Sequence, residues 1–378
     1  MEVQLASSSE RQVWVTKFLS EYVRESGFMP YMGKSDTSIF QFRTELLNEA
    51  GKTINVPVIA SLKGGGVTGS QVLDGNEEDL QNFNDQIVVD WLRNGVRVPK
   101  STQYLTEINL MDAAKSALRT WDAEKLRDGI IQALGSIIIA GANAGAADSW
   151  VSYTAATAGQ RNSYLTLNGD RILFGANISN ASSNVWATAL GNVDSTNDIM
   201  STAIGSLAKR MAKNTGPYNT SFPTNLRIRP FKTDDGKEYF VMFCAPNSFR
   251  DLKKDTVLQQ ANREARAREG NAMEKNPLFQ DGDVIYDGVI YREIPELNQL
   301  TIAGAGAAGI NVDQNFLCGT QAVGIGWGQQ PKPVTDYIKD YGFRPGVGIE
   351  ELRGQKKLSY TGVQYGVVSV LTSSTPDT

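Results

Sequence analysis

The sequence predicts an α+β protein in which an extended two-stranded limb precedes one long helix. Three observations predict it. Residues 54–62 alternate at period two, placing Ile54, Val56, Val58, Ala60 and Leu62 on one face. A second β-rich run, residues 87–99, carries Ile87, Val89 and Trp91 and follows a Gly-rich, then acidic, insertion. From residue 107 to 134 apolar side chains recur at spacings near three, four and seven, the helical pattern. No regular β-α-β alternation occurs, so the layout reads as α+β rather than α/β.

Each element follows in order. Residues 1–50 form an arm with aromatic anchors Trp14, Phe18, Tyr22, Phe28, Tyr31, Phe40 and Phe42, helical over about 10–24. The limb comes next, and its insertion is longer than an ordinary hairpin loop. A lone two-stranded ribbon is marginal in water, so its apolar face is expected to find cover on another molecule. Pro99 and Ser101 punctuate the entry to the long helix, whose apolar positions are Ile108, Met111, Leu118, Trp121, Ile131, Leu134 and Ile138. Residues 149–197 are rich in Ser, Thr, Asn and Gly and read as an elaborated connector with one short strand at 171–174.

Asp198 is expected to cap a helix running to Lys213, with Ile199, Ala203, Leu207 and Met211 as its stripe and basic residues at its negative end. A strand pair, 226–230 and 239–244, flanks the turn Asp234-Asp235-Gly236, and Pro246 opens a charged helix. Further strands are expected at 284–286, 289–293, 316–327, 341–349 and 358–371.

Composition narrows the function classes. The 378 residues are 41% hydrophobic and 21% charged, which describes an ordinary globular protein. A formal charge of −4 argues against a basic nucleic-acid reader. No histidine is present, which removes the commonest general base and metal ligand and excludes Ser-His-Asp, Cys-His and HExxH chemistry. Cys244 and Cys318 each sit inside an apolar run, a pattern that favours two buried thiols over a disulfide. The N-terminus shows no charged region leading into an apolar one, and the most apolar window, residues 130–147, is broken by Gly135, Gly141 and Gly145. The expectation is a protein without a membrane span, intracellular when made.

Four patterns invite a chemical reading. Gly64, Gly66 and Gly69 satisfy G-x-G-x-x-G, but a dinucleotide site also needs a helix starting at the last glycine, and 70–75 reads as loop or strand. Asp281-Gly282-Asp283 with Asp287 lacks the remaining ligands of a calcium loop and reads as a turn feeding a hairpin. Arg263, Arg266 and Arg268 are interleaved with glutamates, as expected of a solvated face or an intersubunit salt-bridge surface. Glu77, Glu78 and Asp79 repel one another and are candidates for charge contacts across an interface. No cofactor and no metal are implied, and no group of residues assembles a nucleophile, base and oxyanion hole.

Several blocks resemble one family in the same order. They are Ile54-Asn55-Val56-Pro57, then Leu62-Lys63-Gly64-Gly65-Gly66-Val67-Thr68-Gly69, then Leu73-Asp74-Gly75-Asn76-Glu77-Glu78-Asp79-Leu80. Downstream come Ala114-Lys115-Ser116-Ala117-Leu118-Arg119-Thr120-Trp121, Tyr239-Phe240-Val241-Met242-Phe243, Asn276-Pro277-Leu278-Phe279 and Tyr286-Asp287-Gly288-Val289-Ile290-Tyr291-Arg292-Glu293. This set resembles the major capsid proteins of tailed phages, the family typified by the N-four-like podoviruses, from about residue 42 onward. One departure is Cys244-Ala245-Pro246, where the family pattern has His-Pro.

The resemblance implies an HK-ninety-seven-like (Johnson) capsid fold. Mapped here, it gives an N-terminal arm (1–50), an extended loop (51–100), a peripheral domain with the spine helix (101–197 and 333–378) and an axial domain (198–332). It implies a structural protein, not an enzyme, that assembles with many copies of itself as hexamers and pentamers. Its other implied partners are a scaffolding protein, a portal, a decoration protein and packaged double-stranded DNA held without sequence-specific contact, with no membrane. The implied location is the virion, assembled in the host bacterial cytoplasm. An acidic container suits that role, since it repels the packaged phosphates.

The expected intersubunit residues are Val56, Val58, Leu62, Gly64, Gly65, Gly66, Val67, Ile87, Val89 and Trp91 on the loop, and Trp14, Phe18 and Phe28 on the arm. Glu77, Glu78, Asp79, Arg263, Arg266 and Arg268 are the expected charge contacts. The competing readings are a nucleotide-binding oxidoreductase built on Gly64, Gly66 and Gly69, and an exported surface-layer or filament protein.

Overall fold

The computed structural model describes residues 27–47, 51–59, 65–77, 80, 82–106, 109–139, 149–214, 228–233, 236–265, 279–280, 283–297, 299–300, 310–336, 339–360 and 362–374. The helix expected over 10–24 lies outside them. The described chain enters through β1 (Met32–Gly33) and β2 (Phe40–Arg43), then forms the ribbon strands β3 (Thr53–Ile59) and β4 (Asn82–Val88). The second β-rich run divides in two. At Val89 the chain leaves the ribbon, its N–H bonded to Lys52 O at 3.0 Å, and continues as β5 (Asp90–Arg97).

After the short α1 (Lys100–Tyr104), the long helix α2 spans Leu110–Leu134. Asn109 caps it by accepting from Asp112 N, and Asp112 adds a charge suited to the positive end. The helix stops before Ile138 because Gly135 closes it. The next residues, rich in β-branched isoleucine, become strand β6 (Ser136–Ile139), which pairs with β7 (Ser149–Ser152).

Residues 149–197 are core rather than connector. They form β7, α3 (Ala158–Asn168), β8 (Ile172–Phe174) and α4 (Trp186–Gly191). A capping box, Thr157 with Gln160, starts α3. The buried Trp186 ring lies 5.3 Å from Tyr153 and 5.2 Å from Phe174, so a segment polar in composition holds a dense aromatic cluster.

Helix α5 (Thr202–Lys213) begins later than expected, capped by Ser201. Asp198 instead accepts from Ala176 N at 2.6 Å and Asp194 N at 2.9 Å, closing a loop. The buried side of α5 is Ile204, Ala208, Met211 and Ala212, rotated from the expected stripe, and Ala203 is exposed.

The second half holds β9 (Phe231–Lys232), β10 (Glu238–Cys244), α6 (Pro246–Lys254), α7 (Thr256–Ala265), β11 (Phe279–Gln280), β12 (Asp283–Tyr286) and β13 (Val289–Glu293). Then come β14 (Val312–Cys318), β15 (Val323–Asp336), β16 (Gly346–Lys357), β17 (Ser359–Tyr360), β18 (Val363–Gln364) and β19 (Val367–Ser373). The expected strand over 316–327 breaks between β14 and β15, and the one over 358–371 becomes three short strands. The Asp287-Gly288 turn between β12 and β13 has positive φ at both residues, 48° and 69°, as a tight two-residue hairpin demands.

Two sheets organise these strands. One has the order β11-β12-β13-β10-β14-β19-β8, with β9 joined to β10. Both of its faces are covered. Along β10, Val241 and Phe243 enter one core while Phe240, Met242 and Cys244 enter another. The other sheet, β1-β2-β15-β16-β5, carries the long β15–β16 hairpin, against which α2 packs. Strands from the expected axial segment (β10 to β14) and from its flanks (β8, β19) share the first sheet, and the boundary at 332/333 falls inside β15.

Candidate assembly surfaces

The ribbon is an antiparallel pair running from Thr53↔Val88 to Ile59↔Asn82. Its apolar face starts deep in the protein. Ile54, Val56, Ile87 and Val89 are buried together with Leu358, Tyr360 and Tyr365, and Leu352 packs alongside. This corrects the assignment of Val56, Ile87 and Val89 to an intersubunit contact, because the chain's own body covers them.

The physical reason is a seat built from glycines. A side chain at Gly326 would meet Ile54 Cδ1 at 2.8 Å, one at Gly324 would meet Ile87 Cδ1 at 2.6 Å, and one at Gly354 would meet Val88 O at 2.0 Å. The missing side chains let the ribbon lie directly on the backbone of β15 and β16.

A buried ion pair fixes the same seat. Lys356 Nζ bonds Asp85 Oδ1 and also donates to Gln86 O at 3.1 Å. Asp85 accepts from Gln86 N at 2.8 Å and Ser359 N at 2.9 Å. Burial raises the Asp85 pKa, and Lys356 opposes that rise.

Farther out, the same face opens to solvent. Val58 and Phe83, opposite each other, are half-buried, while Ile59 lies on the other face and is exposed. In the loop beyond, Val72, Leu73 and Leu80 are 68%, 56% and 61% exposed. Gly65 and Gly66 are exposed and Val67 is half-buried. Gly66 and Gly69 have φ of +62° and +68°, and no helix follows them among the described residues, so the dinucleotide fold around this motif is absent there. Glu77 is exposed and accepts from Gly75 N at 2.7 Å. Trp91 is half exposed, but on β5 opposite Leu352 rather than on the ribbon.

Phe28 is a second correction. It is fully buried, with its ring 5.2 Å from Phe40 and 4.9 Å from Phe243, so it anchors the arm to this chain's own core. Arg263 is exposed at the end of α7. Trp14, Phe18, Leu62, Gly64, Glu78, Asp79, Arg266 and Arg268 lie outside the described residues.

Sequence reasoning missed one surface. At the far end of the β15–β16 hairpin, Tyr341 is fully exposed and Phe343 partly so. Lys100 N bonds Phe343 O at 3.0 Å, which brings α1 and its exposed neighbours Tyr104 and Leu105 to the same end. Asp340 and Tyr341 both adopt left-handed conformations, φ 56° and 49°, a costly choice for non-glycine residues. The period-two pattern had assigned Tyr341 to a strand, and nothing in it marked a strained aromatic tip.

Inside the protein, Cys244 and Cys318 are buried free thiols whose pKa values burial raises. Lys357 is fully buried, with no carboxylate partner among the described residues. Its Nζ donates to Leu134 O (3.1 Å), Ser136 O (2.8 Å) and the Tyr164 hydroxyl (3.1 Å), and burial pulls its pKa down to about 7. It thereby satisfies a carbonyl at the end of α2 that the helix itself leaves unpaired. Among the described residues no group of three or more acidic or thiol side chains is placed to hold a metal ion. No described helix is long and apolar enough to cross a membrane.

A family model described as phage capsid protein matches residues 2–374. The chain belongs to the phage capsid protein family. The major capsid protein of Pseudomonas phage KPP25 is 25% identical over 392 aligned residues, covering 96% of this chain and 95% of that protein. The solved capsid asymmetric unit of cyanophage Pam1 is 39% identical with a TM-score of 0.84, and each chain is covered completely. The capsid of Ralstonia phage GP4, at 20% identity and a TM-score of 0.73 with complete coverage of both, shares the fold. The HK-ninety-seven-like capsid fold implied by the sequence blocks is therefore the fold of this chain, and its role is that of a phage major capsid protein. Such proteins assemble in many copies and form the shell of the virion, a structural rather than enzymatic class.

Proposed function

We propose that the outer ribbon and the aromatic hairpin tip are the surfaces through which copies of this chain close into an icosahedral shell around the double-stranded DNA of a tailed phage. One observation carries this reading. The ribbon's apolar face runs from residues sealed in the core to the half-buried Val58 and Phe83, and the described residues of the loop expose Val72, Leu73 and Leu80. A neighbouring copy supplies the cover that the chain withholds from the outer half. Weak contacts suffice because a shell repeats them many times.

In this account the ribbon and loop (51–100) act as the extended loop, and α2 with residues 101–197 and 333–378 belongs to the peripheral region. The segment 198–332 faces the centres of hexamers and pentamers. Val58, Leu62, Gly64, Gly65, Gly66, Val67 and Trp91, with Trp14 and Phe18 from the arm, contribute the apolar contacts. Glu77, Glu78, Asp79, Arg263, Arg266 and Arg268 contribute the charged ones. A scaffolding protein, a portal and a decoration protein complete the partner set, and assembly takes place in the bacterial cytoplasm before DNA is packaged. Co-expression of the chain with its scaffold and negative-stain imaging tests the reading. Closed shells from the native chain and dispersed, folded subunits from a Val72→Asp, Leu73→Asp variant are expected. Normal shells from that variant would remove the ribbon loop from the account.

A further inference from the structure

The long helix and the long hairpin meet at three charged side chains that assembly leaves unused. Asp122 lies near the middle of α2, while Glu351 and Arg353 lie on β16, which packs against that helix. The side chains of Glu351 and Arg353 are 1% and 6% exposed. Arg353 Nη1 lies 2.9 Å from Glu351 Oε1, but its hydrogen bond is directed to Oε2, at 3.3 Å. Glu351 Oε1 and Asp122 Oδ1 are both buried, and neither receives a hydrogen bond from a donor among the described residues. The two carboxyl groups are within hydrogen-bonding reach of each other. Ionised carboxylates are acceptors only, so two that face each other in a buried site stay unsatisfied until a proton joins them.

We propose that Asp122 and Glu351 share one proton, and that this acid pair is a pH-sensitive latch between α2 and β16. Burial pushes the Glu351 pKa up to about 7, with Arg353 opposing and Asp122 reinforcing the rise. Burial raises the Asp122 pKa as well, with Arg353 and Glu351 opposing that rise, so the two carboxyls titrate as one pair. Among the described residues, the groups that act on the pair are its two members and Arg353. On either side of β16, β5 places Asp90 opposite Arg353 and Arg93 opposite Glu350, while β15 places Trp327 opposite Arg353 and Lys332 opposite Glu350. Along α2, Arg119 and Lys125 lie one turn to either side of Asp122, and Lys125 is 3.9 Å from Asp128. One guanidinium thus serves two carboxyls, and loss of the proton leaves a net negative pair inside the contact. The latch has a route to the ribbon, because Lys356, three residues beyond Arg353, holds Asp85.

The closed latch binds its proton more tightly than an open one, in which Glu351 returns to the ordinary value of 4.5. Between that pH and about 7 the open form loses its proton first. Opening therefore becomes easier as pH rises, by up to about tenfold per unit, and levels off above the closed-state value.

Hydrogen–deuterium exchange of the full chain, corrected for intrinsic rates and followed at α2 amides around Asp122, tests this. The native chain should show the rise and plateau, and Glu351→Gln, which keeps a donor but cannot titrate, should show a flat profile. Infrared spectroscopy of the native chain with isotopically labelled glutamate gives a second readout free of any variant. A protonated glutamate band at pH 6 that titrates near pH 7 supports the pair. Its absence, or the same exchange profile in native and Glu351→Gln chains, overturns it.

Discussion

The inner and outer halves of the ribbon share one alternating pattern but meet different fates. Ile54, Ile87 and Val89 sit on backbone kept bare by Gly324, Gly326 and Gly354, whereas Val58 and Phe83 run off that seat toward solvent. The comparison separates two questions that periodicity merges. Alternation says which face is apolar, and the partner surface decides whether the cover is internal or comes from another molecule. The inner half belongs to folding, and the proposed function gives the outer half to assembly.

The strongest way to break this division is at the ion pair. Lys356→Ala leaves Asp85 buried without its partner and should cost about 3–5 kcal/mol in urea unfolding, with much of the loss recovered when Asp85 is also made apolar. A loss within error would mean the inner ribbon is not anchored there. Ile87→Ala comes next, at about 2–5 kcal/mol, because it opens a cavity in the cluster with Tyr360 and Leu358. Gly354→Ala should cost about 1–3 kcal/mol, since the new methyl group meets Val88 O and lifts the ribbon from its seat.

A pH effect distinguishes the body from the ribbon. The native state holds the Lys357 proton less tightly than the unfolded chain does, its pKa being about 7 against an ordinary 10.5. Its burial penalty is therefore full below about pH 7 and fades as pH rises toward 10.5, so stability gains at most about 1.4 kcal/mol per unit in that window. Unfolding of Lys357→Met across pH 7–10 should lack that rise, and an unchanged slope would assign it to other groups. The smallest effect belongs to the outer half. Val72→Ser with Leu73→Ser should shift monomer unfolding by less than about 0.5 kcal/mol while reducing the yield of shells.

Much of the fold was legible where one local signal dominated. The helical repeat located α2, and the apolar runs 284–286 and 289–293 located the β12–β13 hairpin. The failures have a common cause, since each depended on contacts distant in sequence. The polar residues of 149–197 hid the stack around Trp186, since caps and turns are polar even inside a core. Gly324 and Gly326 lie inside an expected strand and Gly354 between two others, and nothing local marks them as the seat of the ribbon. Of the candidate site, the apolar face was readable but its cover was not, and the strand pattern over 341–349 concealed the exposed tip at Tyr341.

The most direct test compares side-chain labelling by hydroxyl radicals in the free subunit and in the assembled shell. Val58, Phe83, Val72, Leu73 and Leu80 should become protected on assembly, while Ile54 and Ile87 stay protected in both states. Outer-ribbon residues that react in the shell as readily as in the free subunit would contradict the account.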